Sequence, residues 1–212
     1  MRKIYILILF FCFVSSYYAQ KIVNLQEAKK TVEDYYESGQ YEIDLKKIIS
    51  EAESKINKLS LPLNSAVIFD VDETALSNYE IIKDINFGYE PNLWDKWVKE
   101  SKAPAILEVK KFYDWLLSKK IKIIFLSGRT IDEEQATIKN LKNAGYSVFD
   151  TLITKKPNDQ KISTAVFKER EREKLSKKGY HIIACIGDQW SDMKGKYTGI
   201  KIKLPNYMYI IN

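Results

Sequence analysis

Soft metal ligands are scarce in this chain of 212 residues, which holds one His and two Cys. That is too few for a zinc site of the usual His/Cys type. A disulfide framework is excluded as well. Cys12 lies in an N-terminal apolar run expected to be removed, which leaves Cys185 alone. Cys185, in HIIACIG, reads as a small buried hydrophobe rather than a reactive thiol. His181 opens the same run and reads as a structural or surface histidine. There is no internal repeat and no Pro-rich or other low-complexity stretch, and no apolar run beyond the first 20 residues is long enough to span a membrane. Lys and Arg outnumber Asp and Glu 34 to 28, but they are spread along helical segments. Nucleic-acid binding, which needs a clustered basic face, is therefore not indicated.

What remains is the composition of an ordinary globular protein, 45% hydrophobic and 29% charged, with a high aromatic content of 14 Tyr and 4 Trp. The length suits one sizeable domain with elaborations. Residues 1–19 read as a signal peptide. Arg2 and Lys3 form the positive start, IYILILFFCFV at 4–14 the apolar middle, and Ala19 the residue before cleavage, although Tyr17 departs from the small-residue rule. The run is short for a membrane span, which favours cleavage and export over an uncleaved anchor. The expected location is the periplasm or medium of a Gram-negative bacterium.

Hydrophobic periodicity predicts an alternating α/β chain. Residues 24–59 read as two helices, with Asn24 as a cap and Gly39 as the break. Strands are expected at 66–71, 121–126, 150–154, 181–186 and 200–204, and helices at 104–119, 131–144 and 163–178. The predicted fold is Rossmann-like: a mostly parallel sheet with helices on both faces and an N-terminal helical extension. In such a sheet the site lies at the carboxyl ends of the strands.

Three of those ends carry chemistry: Asp70-Val71-Asp72-Glu73-Thr74, then Ser127-Gly128-Arg129-Thr130, then Gly187-Asp188 with Asp192 four residues on. The fold brings all three into one crevice. Asp70, Asp72, Asp188 and Asp192 would repel one another there, and a hard divalent cation such as magnesium relieves the repulsion. Asp70 and Asp72, two residues apart, divide the work. One carboxylate attacks phosphorus and the other moves the proton.

FDVDETALSN at 69–78, WDKWVKESKAPA at 94–105, FLSGR at 125–129, GDQWSD at 187–192 and KLPNYMYII at 203–211 resemble the haloacid dehalogenase-like acid phosphatases of subfamily IIIB. That group comprises bacterial envelope enzymes and plant relatives that include vegetative storage proteins. The resemblance implies a phosphomonoesterase with Asp70 as nucleophile and Asp72 as acid/base. It implies magnesium on the Asp70 side chain, the Asp72 backbone carbonyl and Asp188, with Asp192 in support. Ser127 and the Gly128 amide would hold the phosphoryl group. The family also needs a lysine. Lys155, Lys156, Lys161 and Lys168 are candidates, and Lys168, with Arg172 four residues later, fits best.

The segment at about 77–103 would be a small cap inserted after the first core strand. Its Tyr79 is the expected substrate contact, while Trp94 and Trp97 read as cap packing. Arg129 would orient the site or approach the substrate. Substrates would be small phosphomonoesters, nucleoside monophosphates among them, and the resemblance suggests a homodimer. Two other readings compete. One is a storage or binding protein on the same fold, against which Asp70 is present. The other is a phosphate-accepting receiver domain, against which stand Asp72, the cap and the leader.

Overall fold

The computed structural model describes residues 22–211, so the expected leader lies outside the described residues. Five strands form one sheet: β1 (Ser65–Phe69), β2 (Lys122–Thr130), β3 (Thr151–Lys155), β4 (His181–Gly187) and β5 (Ile200–Lys203). The order is β3-β2-β1-β4-β5 and every neighbouring pair is parallel. The helices are α1 (Leu25–Glu37), α2 (Gln40–Asn57), α3 (Tyr79–Asp84), α4 (Pro91–Glu100), α5 (Leu107–Ser118), α6 (Glu134–Asn143) and α7 (Thr164–Lys177).

β1 is buried along its whole length, as its apolar sequence SAVIF requires of a central strand. Its side chains alternate between two cores. Val67 and Phe69 join Leu45, Ile49 and Ile56 of α2 and Phe112 and Leu116 of α5. Ala66 and Ile68 join Phe167 and Leu175 of α7 and Cys185 of β4. Burying each large apolar side chain contributes about 1.5–3 kcal/mol. The N-terminal helices are therefore no loose appendage, because α2 closes one face of the sheet. Asn24 caps α1 by accepting from the Gln26 amide at 2.9 Å. Gly39, at φ 88°, makes the left-handed break before α2.

Among the boundaries that differ from the periodicity, two bear on the site. The helix expected from residue 104 begins at Leu107. Pro104 disfavours helical backbone at Ala103, and the extended stretch instead bridges back to the loop after β1. There Ser77 N donates to Pro104 O at 2.9 Å and Ile106 N to Ala75 O at 3.1 Å. β2 runs beyond residue 126 to Thr130, where it pairs with Lys155. Thr130 and Glu133 then form a capping box that opens the next helical turn. Residues 77–103 hold the two short helices α3 and α4. After β5, residues 204–211 lie close to the carboxyl end of β4, with Leu204 N donating to Gly187 O at 2.9 Å.

Candidate active site

The ends of β1, β2 and β4 open into a cavity of about 830 Å³, whose walls include Asp70, Asp72, Gly128, Arg129, Lys168, Asp188 and Asp192. β1 and β4 run in parallel register to this point, and the Asp70 amide donates to Ile186 O at 3.0 Å. Asp70 and Asp188 therefore leave adjacent strands side by side. One carboxylate oxygen from each of Asp70, Asp188 and Asp192 lies within 4.8 Å of the others, and all three residues are buried.

Lys168, on α7, reaches into this cluster from the opposite side. Its ammonium is buried, donates to Asp192 Oδ1 at 2.7 Å, and also donates to Asp70 Oδ1. Burial works against the Lys168 charge, but Asp192 and Asp70 outweigh it and raise its pKa above the ordinary lysine value. Burial pushes Asp70 well above the usual carboxylate range, opposed by Lys168 and reinforced by Asp192 and Asp188. Burial, with Asp192 beside it, raises Asp188 to about 6. One ammonium against three buried carboxylates leaves excess negative charge. The donor set, all carboxylate oxygens with no His or Cys, fits a hard divalent cation. Ser191 Oγ, which also lines the cavity, has no hydrogen-bond partner among the described residues.

Asp72 stands apart from that cluster. Arg129 donates to it through Nε, at 3.2 and 3.0 Å to its two oxygens, and through Nη2 at 2.6 Å. Asn78 Nδ2 adds a bond of 2.9 Å. The remaining Arg129 nitrogen donates to Thr137 Oγ1 at 3.0 Å, so its guanidinium is committed to Asp72 and to α6. Ser127 is fully buried, and its Oγ accepts from the Arg129 amide at 3.1 Å.

Tyr79 is not where a substrate contact was expected. It lies outside the cavity wall, donates to Glu37 at 2.8 Å and stacks on Tyr36 at 5.0 Å between centroids. As the first residue of α3 it faces α1. The aromatic side chains that do line the cavity are Tyr89, Trp94 and Tyr209. Trp97 is buried, in keeping with cap packing, whereas Trp94 has the Arg129 guanidinium 5.8 Å from its ring centroid.

Several residues support these groups through contacts that the sequence reading did not assign. Asn206 and Gln189 each donate to Asp188 Oδ2 at 2.7 Å. Arg172 clamps the loop after Asp192 by donating to the carbonyls of Asp192 at 2.8 Å, Lys196 at 3.1 Å and Lys194. Glu73 takes φ 52°, accepts from the Asn78 amide at 2.7 Å and from the Tyr209 hydroxyl, and is pushed up to about 8 by burial and then by Asp72 and Asp188. Arg172 carried a signal in its spacing from Lys168, while Glu73, Gln189, Asn206 and Tyr209 stood inside the motifs that carry the resemblance without a role of their own.

Comparison with known proteins shows the family and the fold. Residues 16–212 match the family described as HAD superfamily, subfamily IIIB (acid phosphatase). The stem 28 kDa glycoprotein of Glycine max is 40% identical over 192 residues, spanning 88% of this chain and 76% of that protein. Vegetative storage protein 1 of Arabidopsis thaliana is 36% identical over 191 residues, 86% of this chain and 70% of that protein. Acid phosphatase 1 of Solanum lycopersicum is 31% identical over 192 residues, 88% and 75% respectively. Among solved structures, the class C acid phosphatase from Bacillus anthracis shares the fold, with a TM-score of 0.73, 24% identity, and 89% of this chain and 87% of that chain covered.

Proposed function

This chain belongs to the acid phosphatases of HAD subfamily IIIB, and we propose that it hydrolyses small phosphomonoesters through an aspartyl-phosphate on Asp70. The observation that carries the reading is the division between the two aspartates. Asp70 is buried beside Lys168 with Asp188 and Asp192, whereas Asp72 is held separately by Arg129. Asp70 sits where a lysine and a cation can hold it ionised for attack, and Asp72 is a separate carboxyl in the cavity wall, placed to carry the proton.

In this mechanism an Asp70 oxygen attacks phosphorus as the bond to the leaving oxygen breaks. Asp72 gives that oxygen its proton. Asp72 then takes a proton from water as the water attacks the phospho-enzyme, which releases phosphate and restores Asp70. Ser127 and the Gly128 amide hold the phosphoryl oxygens. Because Ser127 Oγ already accepts from the Arg129 amide, its own proton is available to donate. Lys168 offsets charge on Asp70 and on the incoming phosphate. Asp70, Asp188, Asp192 and the Asp72 carbonyl would hold magnesium, which when bound keeps Asp70 ionised and neutralises developing phosphoryl charge. Nucleoside monophosphates are among the substrates that a cavity with Tyr89, Trp94 and Tyr209 in its wall would admit. Some relatives are named as storage proteins. The Asp70–Lys168 contact supports turnover here.

Asp70→Asn is expected to abolish turnover of every phosphomonoester and to form no phospho-enzyme. Asp72→Asn is expected to slow hydrolysis by roughly 100- to 10,000-fold, less for an aryl than for an alkyl phosphate, because an alkoxide needs the proton more. Rate ratios on one substrate of each kind check this. Substantial turnover by Asp70→Asn, with deamidation excluded, would remove the covalent mechanism.

A further inference from the structure

We propose that Asn78 is the positioning residue for Asp72, and that Trp97 of the cap segment holds Asn78 in the orientation this task requires. The inference rests on the reading of Asp72 as the acid/base.

Asn78 is fully buried between the loop after β1 and α4. An amide side chain of this kind presents an oxygen on one side and a nitrogen on the other, and nothing intrinsic decides which faces which neighbour. Trp97 decides it. Its indole Nε1–H, which can only donate, lies 2.8 Å from Asn78 Oδ1. The amide nitrogen must then face the other way, where it donates to Asp72 Oδ1 at 2.9 Å. The main chain of Asn78 is held independently, its amide donating to Glu73 Oε1 at 2.7 Å.

The consequence falls on the two oxygens of Asp72. Oδ1 receives Asn78 Nδ2, Arg129 Nη2 at 2.6 Å and the longer limb of Arg129 Nε at 3.2 Å. Oδ2 receives Arg129 Nε alone, at 3.0 Å. Protonating Oδ1 would displace a donor, while Oδ2 keeps a free lone pair. The geometry thus assigns the transferring proton to Oδ2. Asn78 widens the inequality that Arg129 begins, and as a second donor from another direction it fixes the turn of the carboxylate about its own axis. Helix α4 is thereby tied to the proton-transfer step through an indole N–H.

The test uses the full mature enzyme and two substitutions. Asn78→Asp is isosteric and keeps an oxygen for Trp97, but it turns the donor toward Asp72 into an acceptor. Trp97→Phe keeps an aromatic ring and frees the Asn78 amide to turn over. Asn78→Asp is expected to lower kcat on an alkyl phosphate by about 100-fold or more and on an aryl phosphate by less than about tenfold, with KM little changed. Trp97→Phe should show the same split at smaller size, and adding it to Asn78→Asp should bring no further loss, because both act through one orientation.

Asp72→Asn, run beside them, separates the layers of the argument. If it discriminates between the two substrates and Asn78→Asp does not, the positioning role is overturned and the acid/base reading stands. If Asp72→Asn itself affects both substrates equally, both fall. Should Asn78→Asp fail to fold, Trp97→Phe decides alone. A loss concentrated on the alkyl phosphate supports the proposal, and an equal loss or none overturns it.

Discussion

A carboxyl that neither attacks nor carries a proton in the proposed mechanism, Glu73, is constrained near the site in both backbone and side chain. Its left-handed backbone costs a non-glycine residue on the order of 1–3 kcal/mol, offset by the hydrogen bonds that fix both of its oxygens. Because burial lifts its pKa to about 8, the folded chain binds a proton that the unfolded chain has already released. Stability from this source is fully present below the ordinary glutamate range and is lost as pH rises toward 8. Metal-free protein is therefore expected to melt at progressively lower temperature from about pH 5 to about pH 8, and Glu73→Gln should flatten that slope; calorimetric scans across the range check it. At this scale the sequence was legible where one strand end concentrates unusual residues, as at Asp70, Asp72, Asp188 and Asp192. It was not legible where function depends on a distant partner. Glu73 meets Tyr209 and Asn78 meets Trp97, and no periodicity encodes such meetings. Tyr79 illustrates the other limit, since it was expected to meet substrate from the cap segment but the direction it faces depends on how α3 packs on α1.

The arrangement of elements was largely readable, because five apolar runs separated by helical patterns leave few alternatives to a parallel sheet. The extent of β2 was not, since S-G-R-T lacks the apolar signal and is extended only because Thr130 pairs with Lys155 on β3. The junction of β4 with its loop shows how tightly elements set the carboxylate cluster proposed to hold the metal. A Cβ at Gly187 would lie 2.1 Å from Asp192 Oδ2, so the strand can end beside that carboxylate only as glycine. Gly187→Ala is expected to push Asp192 off the cluster. Wild-type enzyme treated with a chelator should regain turnover of an aryl phosphate when magnesium is added. The alanine variant should need at least about tenfold more of it, a shift of the size that displaced supporting contacts of a metal site produce. Titration of activity against magnesium measures this, and an unchanged midpoint would contradict it.

For the molecule as a whole, among the described residues no helix is long and apolar enough to cross a membrane. The charged start and short apolar run of residues 1–19 predict an exported product whose N-terminus lies near Gln20. Intact-mass measurement of protein from the periplasm or medium checks this, and Met1 on a cytoplasmic product would contradict it. The segment at 204–211 adds a point of vulnerability. Asn206 holds Asp188, the Tyr209 hydroxyl holds Glu73, and the Ile211 amide donates to Gln189 at 3.1 Å. Along the sequence these residues follow every strand and every acidic group of the site. A chain cut before residue 206 would therefore keep all five strands while Asp188 and Glu73 lose these supports. Proteolytic clipping of this tail is then expected to silence the site while leaving the sheet in place.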